Sequence, residues 1–156
     1  MSLRKTLVSI ALAASLTALA ACDSAEERAE KFYQSGVAYL EKDDVDRALI
    51  EFRNVFKLDP EHKEARRAFA RIERGRGNLR ESFSQYLRLI EQYPSDLDAL
   101  QALSEMAVAN GDWEVADRYA TPAVGLQPDN LELRAIKAAA DYGAATEAAD
   151  SAGVVD

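Results

Sequence analysis

The sequence predicts an all-α fold, a solenoid of three helical hairpins followed by a further helix. Three observations carry that expectation. Pro60, Pro94 and Pro128 recur every thirty-four positions. Small residues keep the same interval, as Gly36, Ala70 and Ser104 in one column and Ala48, Ser82 and Ala116 in another. Asp44, Asn78 and Asp112 keep it too, each followed by an apolar residue, Val45, Leu79 and Trp113. A fixed interval of this size marks a repeat architecture in which each unit is one supersecondary element that buries its apolar face by stacking on the next. The units are 29–62, 63–96 and 97–130.

Each element follows from its residues. Helices are expected at about 26–41, 45–58, 63–75, 79–92, 97–109, 113–126 and 131–142. Asp44, Asn78 and Asp112 are placed to cap the second helix of each unit by accepting from its free backbone N–H groups. Gly77 and Gly111 before them permit a tight turn, where the first unit has Asp43. The three prolines stop the second helices, because the residue before a proline avoids the helical region. Gly36 and Ala48 mark close helix approach, and Tyr39, Phe52 and Tyr86 fill the wedges between pairs. Arg66 and Glu73 stand where apolar residues are expected. Pro122 lies inside the second helix of the third unit and removes its bond to the Arg118 carbonyl, which predicts a kink. Residues 131–156 read as a capping helix with a disordered tail, or as the front of a fourth unit.

Composition narrows the function. The chain has 156 residues, 27 acidic and 19 basic, for a net charge of -8, with one Cys and one His. A single thiol excludes an internal disulfide framework and multi-thiolate metal sites. A single His leaves little for acid–base chemistry near neutrality. The acidic balance argues against nucleic acid, whose backbone requires a basic face. There is no Gly-rich phosphate loop, nucleophile elbow or carboxylate–histidine metal spacing. Neither catalysis, a cofactor, a metal nor a small-molecule substrate is expected. His62, at a helix start, reads as an exposed or capping residue.

The first residues read as an address. Arg4 and Lys5 precede Leu7 to Ala21, an uncharged run of fifteen residues. That run is short for a membrane span and has the build of an export signal. It ends in Leu19-Ala20-Ala21-Cys22, which resembles a bacterial lipobox. The resemblance implies a signal peptide over 1–21, acylation of Cys22 (a palmitate-type anchor) and a short tether over 22–28. Three acyl chains would hold the mature protein at a membrane, facing the periplasm. Ala18-Leu19-Ala20 also fits ordinary secretory cleavage, which would release a soluble periplasmic protein. The same resemblance implies that Asp23, straight after the acylated Cys, favours the inner membrane without excluding the outer. Removing 1–21 leaves 17 basic against 27 acidic side chains, a mature charge of -10.

The repeat frame resembles the tetratricopeptide family, most of all in the first unit through Phe32, Gly36, Tyr39, Ala48, Phe52 and Pro60. The resemblance implies a right-handed superhelical solenoid whose first helices line a groove for an extended peptide or a partner helix. The groove positions are Tyr33, Val37 and Leu40, then Arg67, Arg71 and Arg74, then Gln101, Glu105 and Val108. Each set follows i, i+4, i+7 and so shares one helical face. The arginines could take an acidic partner segment through bidentate bonds, or balance acidic neighbours such as Glu64 on a solvated face. Tyr33 and Val37 stand where some members carry a clamp for chaperone tails, so that role is disfavoured. The resulting expectation is a membrane-anchored, non-catalytic scaffold for envelope assembly or export. Its alternatives are an accessory subunit of a membrane enzyme or transporter, and a soluble peptide binder.

Overall fold

A computed structural model describes residues 23–153. The proposed signal peptide and Cys22 lie outside the described residues. Seven helices and no strand occupy the described residues: α1 Ala25–Leu40, α2 Val45–Leu58, α3 Lys63–Gly75, α4 Leu79–Gln92, α5 Leu97–Asn110, α6 Trp113–Leu126 and α7 Leu131–Gly153. The first six match the sequence expectation to within one residue at each end. The seventh does not, because the tail expected to be disordered is helical from 143 as far as Gly153. Its alanines have the highest intrinsic helix propensity, and Gly143 gives α7 a buried seat against α6. The helices fall into two units, one through Pro60 and one from Glu61.

In the first unit α1 pairs with α2. Ser24 and Glu27 form a reciprocal capping box at the start of α1, with the Ser24 hydroxyl accepting from the Glu27 N–H at 3.1 Å and the Glu27 carboxylate accepting from the Ser24 N–H at 2.8 Å. Gly36 is small for the reason the sequence suggests: a Cβ there would lie 2.6 Å from the ring of Phe52, which is fully buried. Tyr33 stacks at a tilt beside that ring, with centroids 6.0 Å apart. Tyr39 is only half-buried, with the Arg47 guanidinium 4.8 Å above its ring, a cation–π contact. The turn between the helices passes through Asp43 at φ 57°, the left-handed region that glycine normally occupies.

The second unit runs from α3 to α7. Its α3–α4 and α5–α6 turns place Gly77 at φ 80° and Gly111 at φ 73°, each one repeat interval after the last such turn position. Tyr86, Leu89, Ala99, Ala102 and Leu103 form its main core with Ala70. Ser82 and Ala70 meet closely enough for the Ser82 hydroxyl to donate to the Ala70 carbonyl at 2.8 Å, satisfying a buried polar group. The two polar substitutions in α3 are accommodated by other polar groups. Arg66 donates to Gln85 at 2.7 Å, and Gln85 in turn donates to Glu81 at 2.7 Å. Glu73 accepts from the Asn78 amide at 2.5 Å.

That last bond corrects one expectation. Asp44 and Asp112 cap their helices, accepting from the N–H groups of Arg47 and Val115. Asn78 makes no side-chain cap bond, because its amide is drawn back to the buried Glu73. Helix α6 runs unbroken past Pro122 to Leu126, and the proline and Arg118 both lie on its exposed side. Gly143 of α7 lies directly against Trp113, whose ring atoms would be 2.3 Å from a Cβ at that position. Asn130 caps α7, accepting from the N–H groups of Glu132 and Leu133.

Candidate functional site

The predicted groove residues sit on three helices. Tyr33, Val37 and Leu40 are half-buried on α1 of the first unit. Arg67, Arg71 and Arg74 lie on α3, and Gln101, Glu105 and Val108 on α5, in the second unit. Because consecutive first helices lie side by side there, the basic edge of α3 meets an acidic edge of α5. The Arg67 guanidinium donates to Asp96 and stands 3.6 Å from Asp98. Arg71 donates to Asp98 at 2.6 Å, and Arg74 to Glu105 at 2.6 Å. Lys63 adds a contact to Asp96 at 3.2 Å and lies 4.7 Å over the Tyr93 ring. The arginines balance acids, but those acids come from α5 and not from Glu64, which faces His62 at 3.8 Å.

Asp96 organises this ladder. Its side chain is 2% exposed, and its Oδ1 also caps α5 by accepting from the Ala99 N–H at 3.1 Å. Burial alone would raise its pKa. The bonds from Arg67, the Ala99 N–H and Lys63 outweigh burial and hold the carboxyl below the usual aspartate range. Arg71 is held above its ordinary value, chiefly by its bond to Asp98.

Above the ladder lies a cleft of about 530 Å³ between α3 and α5, lined by Arg71, Arg74, Tyr86, Asp98, Gln101 and Glu105. Four of these are predicted groove residues. Arg67 lies deeper, committed to Asp96, and Val108 packs beside the small cluster of Ala107, Ala116 and Ala140. Tyr86 and Asp98 are additions that sequence reasoning missed. Tyr86 stands in the Phe52 column, which reads as core, and burial raises its phenol pKa. Asp98 faces Arg71 across 27 residues of sequence, a distance that single-helix spacing does not reveal.

The cleft is therefore zwitterionic. A guanidinium carries five N–H donors, and only one terminal nitrogen of Arg71 is committed to Asp98 while its side chain is 60% exposed. Gln101 donates to Glu105 at 2.8 Å, leaving its carbonyl oxygen as an acceptor. Such walls offer donors and acceptors to a peptide backbone, arginines to a carboxylate, and acids to an amine. His62 caps α3, its Nδ1 accepting from the Ala65 N–H at 3.3 Å. Among the described residues no group of three or more His, Cys, Asp or Glu side chains could hold a metal ion, and no helix is long and apolar enough to cross a membrane.

No protein-family model matches the chain, and no curated protein matches its sequence. Solved structures do. One is the first tetratricopeptide repeat domain of Spaghetti (RPAP3) bound to an HSP90 peptide, SRMEEVD. It is 16% identical, with a TM-score of 0.67, and the match covers 77% of this chain and 95% of that one. The likeness is one of fold, and it agrees with the repeat interval in the sequence: the chain has an all-α, tetratricopeptide-like fold of three helix pairs and a C-terminal helix.

Proposed function

We propose that this chain is a non-catalytic protein-interaction module that takes an extended peptide in the cleft between α3 and α5. The observation that carries the reading is the cleft itself: paired but unsaturated arginines on one wall, Asp98, Gln101 and Glu105 on the other, and Tyr86 at its base. The similar Spaghetti domain holds a peptide, which supports the same use of the fold. Because each arginine faces a carboxylate, recognition here rests on hydrogen bonds and apolar contact more than on net attraction for an acidic partner.

The N-terminal residues add a location to this proposal. The uncharged run from Leu7 to Ala21, closed by the sole thiol at Cys22, supports lipid attachment, with the module facing the periplasm as a scaffold in envelope assembly or export. The soluble alternative rests on the Ala18-Leu19-Ala20 cleavage pattern. A photo-crosslinking residue at position 101 tests the cleft. Partner adducts should form from 101 and not from 88, an exposed position on α4. Adducts from 88 alone would contradict the assignment. Fractionation of the same cells separates the anchored from the soluble form.

A further inference from the structure

The column of small residues has a fourth member. Ala138 stands one repeat interval after Ser104, in register with Ala70 and Gly36. Those three positions are buried: Gly36 lies under Phe52 from the second helix of its own unit, and Ala70 accepts a bond from Ser82 of its own second helix. Ala138 is exposed, because α7 has no second helix among the described residues. The surrounding face is open too. Leu131, Ala135, Ala138, Tyr142 and Ala145 follow alternating steps of four and three, the spacing of a helix-packing seam. Leu131 is 75% and Tyr142 74% exposed, whereas Leu133 and Ala140, on the opposite side of α7, are buried against the rest of the unit.

We propose that this open face is a homodimer interface, with the α7 of a second copy lying antiparallel across it where a second helix of the repeat would pack. Three features select a second copy of this chain as the occupant. The seam is self-complementary when antiparallel: Leu131 of one copy meets Tyr142 of the other at both ends, and Ala135 meets Ala138 in the middle. Alanine at the centre allows the close approach that the same column permits in the other units. The flanking charges agree with this register. Arg134 makes no side-chain hydrogen bond or ion pair among the described residues. In this register it reaches Asp141 of the other copy, twice by symmetry. Asp141 is exposed and held within its own helix only by Lys137, at 2.5 Å. Sliding the pair by one heptad would set Asp141 against itself, so charge excludes the neighbouring register.

Sedimentation equilibrium of the full chain in a density-matched detergent tests the proposal. The wild type should show a concentration-dependent monomer–dimer equilibrium. Ala138→Glu should weaken it by at least about tenfold with unchanged helicity, since the position is exposed and Glu is a good helix former. Arg134→Asp and Asp141→Arg should each weaken self-association by about tenfold, since each replaces two attractive contacts with two repulsive ones. Mixed in equal amounts, these two variants should regain the dimer as a heteropair, because each supplies the charge the other lacks. A monomer at every concentration would overturn the proposal and leave the face to a different protein. A dimer indifferent to Ala138→Glu, or charge variants that fail to complement one another, would overturn it as well.

Discussion

Replacing Asp96 by Ala and by Asn separates the two tasks of that carboxylate. One oxygen caps α5 at the Ala99 N–H, and the other holds Arg67 and Lys63. Loss of an aspartate N-cap costs about 1 kcal/mol. Removing one partner of a fully buried ion pair costs about 3–5 kcal/mol. Arg67 is 26% exposed and keeps Asp98 at 3.6 Å, so the ionic share here is smaller, about 1–3 kcal/mol. Asp96→Ala should therefore destabilise by about 2–4 kcal/mol. Asp96→Asn keeps a good capping side chain and loses only the charge, for about 1–3 kcal/mol.

The assay is urea unfolding followed by far-ultraviolet circular dichroism, repeated across pH. The Asp96 carboxyl has its folded pKa depressed, so its contribution is complete above the ordinary aspartate value of about 3.9 and lost as pH falls through the lower folded value. The gap between wild type and Asp96→Asn should close on acidification. An Asn variant as stable as wild type at neutral pH would refute the ionic argument. Equal losses for Asn and Ala would refute the capping argument.

Other consequences are equally open to measurement. Gly143→Ala should lower the melting temperature despite the usual gain of about 1 kcal/mol for alanine over glycine in a helix, because the new methyl meets Trp113; Trp113→Ala in the same chain should remove much of that penalty. Gly36→Leu should destabilise by more than about 1 kcal/mol, since its side chain would enter the space of the Phe52 ring, and a near-neutral shift would contradict the helix contact. Asp43→Gly should stabilise modestly, by up to about 1 kcal/mol, through relief of the left-handed backbone. Cys22→Ser should abolish labelling by radioactive palmitate and release the protein from membranes, as the lipobox resemblance requires; unchanged retention, with no label in the wild type, would count against it.

What the sequence made legible was local and periodic. Pro60, Pro94 and Pro128 and the turns at Asp43, Gly77 and Gly111 mark helix ends through constraints that one or two residues impose on the backbone. The close contact at Gly36 was readable because only a small side chain fits under an aromatic ring from the facing helix. The ion-pair ladder was not readable, because Asp96, Asp98 and Glu105 reach the arginines from the first helix of the following unit. The ladder also ties these side chains to the fold: Arg67→Glu with Arg71→Glu would set new carboxylates against Asp96 and Asp98 and should destabilise it. The distal half of α7 was hidden because alanines favour a helix by propensity while leaving no amphipathic stripe strong enough to announce one. Asn78 misled because a capping residue type also serves a buried glutamate.

The most direct test of the cleft as the partner-binding site is nuclear magnetic resonance of the labelled protein titrated with a peptide identified from the crosslinked partner adducts. Binding in the cleft should shift the side-chain N–H resonances of Arg71, Arg74 and Gln101 together with the ring signals of Tyr86, saturating at one peptide per chain. Shifts confined to the apolar pocket of about 510 Å³ around Phe83, Leu87, Met106 and Tyr119, between α4 and α6, with the arginine signals unmoved, would contradict the account.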